Sequence, residues 1–147
     1  MDVMIRVATR EDVDSLFEIR TSVEQNHLSR EQMAALGITP QVLGQAIEDS
    51  KCVWIAEVEG QPLAFVMIDR ETGELFAMFV RPGHENRGLG RRLMWVAEAA
   101  LFEQHERIFL ITDGRQDIRA NGFYQRLGWV LAGQADNDDV RYEKCRP

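Results

Sequence analysis

Apolar and polar residues follow two different periods along this chain. Ile5–Ala8 alternates and predicts a short first strand. Thr9 then caps a helix with Asp12 at its third position, and Val13, Leu16, Phe17 and Ile19/Arg20 follow at helical spacing. Residues 21–28 break that pattern. Ser29 with Gln32 forms a capping box for a short helix ending near Leu36-Gly37, and Thr39-Pro40 opens another that runs to about Asp49. The period then becomes alternating. Val53–Val58 and Pro62–Ile68 predict a hairpin about Glu59-Gly60-Gln61, and Glu74–Val80 a third strand after the turn at Glu71-Thr72-Gly73. The run Leu75-Phe76-Ala77-Met78-Phe79-Val80 is apolar throughout, which predicts a central strand covered on both faces. Leu89, Leu93, Val96, Ala97, Ala100 and Leu101 mark a long amphipathic helix from Gly88. Ile108–Thr112 reads as a buried strand, Ile118–Leu127 as a helix stopped by Gly128, and Trp129–Ala132 with Val140–Glu143 as a last strand pair. This order predicts an α/β fold of the α+β type, with a mixed, mostly antiparallel sheet, and excludes a strictly alternating βαβ chain.

At 147 residues the chain is expected to form one domain over residues 1–147. Cys52 and Cys145 match neither a disulfide framework nor a metal-ligand spacing, so no metal is expected. The N-terminal residues lack a signal-peptide core and no apolar run nears the ~18 residues of a membrane span. A cytoplasmic protein without membrane partners is the expectation. The net charge of −7 is unevenly divided: residues 1–80 carry 6 basic and 14 acidic side chains, residues 81–147 carry 11 and 10. Arg81, Arg87, Arg91 and Arg92 cluster against Glu85 alone. An acidic chain with one compact arginine cluster suits a small, multiply charged anion, and not nucleic acid.

The glycines beside those arginines sharpen this. The stretch Val80 to Arg92 takes the chain from a buried strand through a glycine-containing loop into a helix. Unpaired N–H groups at a helix N-terminus, with the helix dipole, attract anions, and Gly88 and Gly90 let a ligand reach the backbone. The segment therefore predicts a phosphate or pyrophosphate seat. It is no Walker loop, since Gly-Lys-Ser/Thr is absent. A dinucleotide fingerprint fits in part: Gly88-x-Gly90 is present and Asp113 ends the next strand. Leu93 at the third glycine position and the seven residues between Val80 and Gly88 oppose it.

The same segment resembles the GNAT superfamily of acyl-CoA-dependent N-acyltransferases, whose Gln/Arg-x-x-Gly-x-Gly/Ala motif lies between a central strand and a long helix. The matching stretch is Glu85-Asn86-Arg87-Gly88-Leu89-Gly90, with Glu85 in the Gln/Arg place. Arg119 to Trp129 looks like the second signature of that family, an Ala, then Phe123-Tyr124, then Leu127-Gly128-Trp129. The two lie about 36 residues apart in the family's order. The resemblance implies acetyl-CoA as co-substrate and a GNAT-like fold. It implies that Met78, Phe79 and Val80 meet the acyl-pantetheine arm through strand backbone, and that Asn86, Arg87, Gly88, Leu89, Gly90 and Arg91 hold the pyrophosphate. Where many members carry a cofactor-contacting Asn, seven residues before the tyrosine, this chain has Asp117.

Transfer of an acyl group to an amine requires a deprotonated amine, a donor for the developing oxyanion and an acid for the leaving thiolate. The resemblance points to Tyr124 as that acid, although Ala120, Phe123, Tyr124 and Leu127 also share one apolar helical face, where Tyr124 would be core. Glu74 at the start of the central strand is a candidate base, ~13 Å from Met78 and so acting through water, or else a solvated strand-end residue. Glu24, Asn26 and His27 lie in the polar loop that the resemblance places beside the acceptor. The expected function is acetyl transfer to a primary amine, either a small molecule or a protein. A non-catalytic CoA-binding sensor and an NAD-dependent oxidoreductase are the alternatives, and a homodimer is the default expectation.

Overall fold

The computed structural model describes residues 2–24, 27–85, 87–114 and 119–147, the side chains of 119–121 excepted. Strand β1 (Val3–Val7) leads through a 3-10 turn (Arg10–Asp12) into α1 (Val13–Ser22), α2 (Arg30–Ala35) and α3 (Pro40–Asp49). Then come β2 (Val53–Val58), β3 (Gln61–Asp69), β4 (Glu74–Val80), α4 (Leu89–Phe102), β5 (Arg107–Asp113), α5 (Arg119–Arg126), β6 (Val130–Gln134) and β7 (Asp139–Cys145). The strands form one sheet in the order β1-β2-β3-β4-β5-β7-β6. Every neighbouring pair is antiparallel except β4 with β5. The element order is the one the periodicity predicts. No helix among the described residues is long and apolar enough to cross a membrane.

Local chemistry explains most boundaries. Ser29 accepts from the Gln32 N–H while the Gln32 side chain accepts from the Ser29 N–H, closing the predicted box. Thr39 accepts from Val42 N–H with Pro40 in the first turn. Glu59 and Gly60 both adopt positive φ, the two-residue turn that matches strand twist in the β2–β3 hairpin. Thr9 departs from expectation: it opens the 3-10 turn, and α1 begins only at Val13. There the Thr9 N–H donates to Asp12 Oδ2 at 2.7 Å.

Asp12 also binds Arg6 of β1 through two bonds of 2.8 Å, and Arg6 reaches Glu57 of β2 at 3.1 Å. The Arg6 guanidinium, helped by the Thr9 N–H, holds the Asp12 carboxyl below its ordinary range. A carboxylate depressed on folding stabilises the fold above its unfolded pKa of about 4, and that stabilisation fades as pH falls through the folded value. In urea titrations Asp12→Asn is therefore expected to cost about 2 kcal/mol at pH 7. The gap from wild type should close progressively below pH ~4; a gap independent of pH would remove the ion pair as its cause.

The core holds Ile55, Ala56, Ala64, Val66, Leu93, Ala97 and Ile108, all fully buried. Consecutive β4 residues show how the sheet is sandwiched. A Cβ on Gly90 of α4 would meet Met78 Cε at 3.8 Å, whereas the Phe79 ring lies under Arg20 of α1. Neighbouring strand residues point to opposite faces, so α4 and α1 cover opposite sides of β4.

Strand β4 is central, as its apolar run predicts, but it is not covered on both faces throughout. Phe76 is 49% exposed, and Ile111 on β5 is 42% exposed. Two causes coincide. Met67 and Ile68 of β3 oppose Ala77 and Leu75, leaving Phe76 as the extra residue of a bulge. Strand β5 meets β4 at a single register pair, Glu74 with Phe109, and beyond it the two strands diverge.

Candidate functional site

The divergence of β4 and β5 creates an opening whose wall is β4 backbone that no neighbouring strand pairs with among the described residues. Arg81 N–H donates to Leu63 O at 2.8 Å, which makes that pair a hydrogen-bonded one. Antiparallel pairs alternate, so Phe79 also exchanges bonds with Phe65. The N–H and C=O groups of Val80 and Met78 therefore point away from β3, into the opening. The wall thus carries donors and acceptors at the strand spacing that an extended, amide-containing ligand would match.

Helix α4 starts beside this wall. Gly88 is its N-cap, at φ 79°, and Arg92 N–H is bonded to Gly88 O at 3.1 Å. The N–H groups of Leu89, Gly90 and Arg91 precede that first bond and have no acceptor inside the helix. A Cβ on Gly88 would meet nothing within 4 Å, so the backbone there is open to a ligand. Gly90 serves differently: a Cβ there would come within 3.3 Å of Phe123 Cζ, so its smallness lets α4 pack closely. Leu89 is buried, and Arg87 and Arg91 are exposed at the helix start. Glu85, in the place of the family's Gln or Arg, folds back to accept from Gly83 N–H at 2.7 Å and shapes the loop. These features fit an anion seat for a pyrophosphate.

The arginine cluster is less concentrated than its spacing suggests. Arg81 donates to Pro62 O at 2.9 Å and pairs with Glu18 at 3.4 Å, and Arg92 donates to Val3 O at 3.2 Å. Arg81 and Arg92 are thus tied to other parts of the fold, away from the helix start where Arg87 and Arg91 are exposed.

Tyr124 of α5 is 6% exposed and packs against Phe123, Trp129 and Tyr142, with ring centroids 5.8–6.4 Å apart. Burial, with Tyr142 beside it, pushes its phenol up to about 12. Phe123 lies against the same Gly90 that borders Met78, which brings α5 to the opening. Glu74 is half-buried where β4 and β5 still meet. Burial, then the charge of Asp69, raises its carboxyl, and Arg141 opposes the shift.

Sequence reasoning missed a buried polar clasp behind the site. Glu98 of α4, 9% exposed, accepts from Trp129 Nε1 at 3.0 Å and from Lys144 Nζ at 2.8 Å. Lys144 also donates to Leu127 O at 2.8 Å. The Leu127-Gly128-Trp129 signature is thus a structural corner held by an ion pair, with Gly128 at φ 92°. The pairing spans 46 residues, so no local pattern announces it.

Of the residues expected to border the acceptor, two take ordinary surface positions. Glu24 and His27 are exposed, and His27 Nδ1 lies 3.0 Å from Val23 O, a local contact. Asn26, Asn86 and Asp117 lie outside the described residues. The dinucleotide reading is overturned by topology: β4 is antiparallel to β3, and its parallel partner touches it at one pair, so no doubly wound parallel sheet surrounds the glycines.

A family model described as the acetyltransferase (GNAT) family matches residues 13–129. An uncharacterised N-acetyltransferase of Archaeoglobus fulgidus is 29% identical over 85 residues, covering 52% of this chain and 58% of that protein. One from Methanocaldococcus jannaschii is 31% identical over 90 residues, 55% of this chain and 40% of its own length. The chain thus spans about half the length of these curated relatives. Among solved structures, the PaiA N-acetyltransferase of Thermoplasma acidophilum, in complex with coenzyme A, superposes with a TM-score of 0.81 at 19% identity, over 99% of this chain and 100% of that one. The ribosomal-protein-alanine N-acetyltransferase of Brucella melitensis does so at 0.75 and 17% identity, over 97% and 99%. At such identities these structures share the fold.

Proposed function

Because the chain belongs to the acetyltransferase (GNAT) family, we propose that it transfers an acetyl group from acetyl-CoA to a primary amine by direct attack of the amine. One observation carries the reading: the strand backbone at Met78 and Val80, turned into the β4–β5 opening, lies beside the first N–H groups of α4, which have no acceptor inside the helix. That combination suits a ligand with an extended amide arm and a pyrophosphate. Acetyl-CoA supplies the activated acyl group as a thioester.

Met78 and Val80 hold the pantetheine arm through the strand backbone that faces the opening; Phe79, expected to join them, instead spends its N–H and C=O on Phe65 and turns its ring to the α1 side. Arg87, Gly88, Leu89, Gly90 and Arg91 hold the pyrophosphate, and Asn86 and Asp117 join them on sequence grounds. The N–H groups facing the opening stabilise charge on the acyl oxygen. Tyr124, with a phenol raised to about 12, is protonated at neutral pH and gives its proton to the departing sulfur. Glu74, whose burial raises its carboxyl and hence its basicity, draws a proton from the amine through water. Glu24, Asn26 and His27 border the acceptor. The acceptor is a small-molecule or protein amine.

Parallel calorimetric titrations with acetyl-CoA, CoA and NAD test the reading. Heat from acetyl-CoA and CoA but not NAD is expected, followed by thiol release when amines are added. Silence with both thiol compounds from folded protein would overturn it, and binding without thiol release from any amine would make the chain a CoA sensor.

A further inference from the structure

Helix α1 packs its apolar stripe at Val13, Leu16 and Phe17, and the next position of that stripe is Arg20. An arginine there is out of pattern. Its guanidinium carbon sits 4.2 Å from the centre of the Phe79 ring on β4, and its Nη1 is buried with no hydrogen-bond partner. The acids of α1 do not serve it: Glu18 is engaged by Arg81 at 3.4 Å, and Asp14 faces Arg30 at 4.0 Å. Burial lowers the pKa of Arg20, yet a guanidinium keeps its proton at neutral pH. The π face of Phe79 steadies this cation, but an aromatic ring accepts no directional bond in the plane of the fork. A buried guanidinium nitrogen without an acceptor is costly, so its position is explained by an anion that arrives from outside.

The position of Arg20 says what brings that anion. In the reading above, the acetyl thioester lies in the β4–β5 opening and its pyrophosphate sits on the α4 side of the sheet. Phe79, next in sequence to Met78 and Val80, is on the opposite side, with Arg20 over its ring. The amine approaches the acyl carbon from the side that the cofactor leaves free. We propose that Arg20 binds the carboxylate of the acceptor, so that the substrate is a small amine that also carries a carboxylate, such as an amino acid. Such a molecule also suits the acidic first half of the chain, which attracts its ammonium while Arg20 takes the other end. The planar fork binds a carboxylate through two parallel bonds and so orients the amine as well as capturing it.

The inference rests on the proposed acetyl transfer, and the test separates the two. Wild type, Arg20→Leu and Arg20→Lys are assayed for thiol release with each common amino acid and with the corresponding amino-acid amide, which lacks the carboxylate charge. Wild type is expected to prefer the acid over its amide by about 30-fold or more in kcat/KM for its best substrates. Arg20→Leu should abolish that preference, mainly through KM, with acetyl-CoA affinity unchanged and a melting temperature no lower than wild type, since the cost of the unpartnered nitrogen goes with it. Arg20→Lys should keep part of it, because a point charge attracts without the two-bond fork. An undiminished preference in Arg20→Leu, or no preference in wild type, overturns the assignment. Failure of every amino acid and amide while acetyl-CoA still binds overturns it too, and leaves the cofactor seat standing. Failure to bind acetyl-CoA is the outcome that sinks the underlying reading instead.

Discussion

Gly88→Val is expected to weaken acetyl-CoA binding by about 100-fold or more while leaving the protein folded. The residue stands at φ 79°, where a β-branched side chain is strained by about 1–2 kcal/mol. That is tolerable within the roughly 5–15 kcal/mol of a typical domain. Space is no obstacle in the free protein, because a Cβ at Gly88 meets nothing within 4 Å. In the proposed complex that empty space is where phosphate oxygens approach the N–H groups of Leu89, Gly90 and Arg91. Hydrogen bonds to a charged group are worth about 1.5–3 kcal/mol each, so losing two gives about the stated factor. Gly90→Ala offers the contrast: its Cβ would press on Phe123 Cζ at 3.3 Å, and it should lower thermal stability together with affinity. Calorimetric titration of both variants, with melting curves alongside, checks the pair. Undiminished affinity in Gly88→Val would remove the seat.

Tyr124→Phe should lower kcat by about 10- to 100-fold, at or below the usual range for a general acid, because a thiolate is already a fair leaving group. KM for acetyl-CoA should hardly change. The ring keeps its contacts with Phe123, Trp129 and Tyr142, so the melting temperature should move little. With the phenol raised to about 12, wild-type kcat should show no loss assignable to this group below pH ~10. Steady-state kinetics from pH 6 to 10 measures all of this, and unaltered kcat in the variant would reduce Tyr124 to a packing residue.

Much of this organisation is legible in the chain. The capping residues Ser29, Gln32 and Thr39 act as read, because caps are decided within a few residues. The glycine motif places an open N–H terminus on α4, again a local matter. The opening itself is not legible. Phe76 and Ile111 look like core residues in sequence, since an apolar strand reads the same whether its neighbour pairs with it or veers away. Long-range partners are equally silent. Arg81 and Arg92 look like anion ligands beside Arg87 and Arg91, but Pro62, Glu18 and Val3 claim them from elsewhere in the fold. Arg20 left a trace, a charge at an apolar position of α1, and only the Phe79 ring and the bare Nη1 give it meaning.

A sheet joined at one register pair behaves like two leaves on a narrow spine: β1 to β4 on one side, β5 to β7 on the other. The glycine seat is reached from the first leaf, whereas Tyr124 travels with the second. Ladder hydrogen bonds alone would let the two swing relative to each other. Helix α4 prevents this by lying across both, with Glu98 gripped by Trp129 and Lys144 of the far leaf. The span between the α4 start and the Tyr124 phenol is therefore set by a carboxylate on the far side of α4, acting as a tie-bar between leaves that the strands themselves barely join.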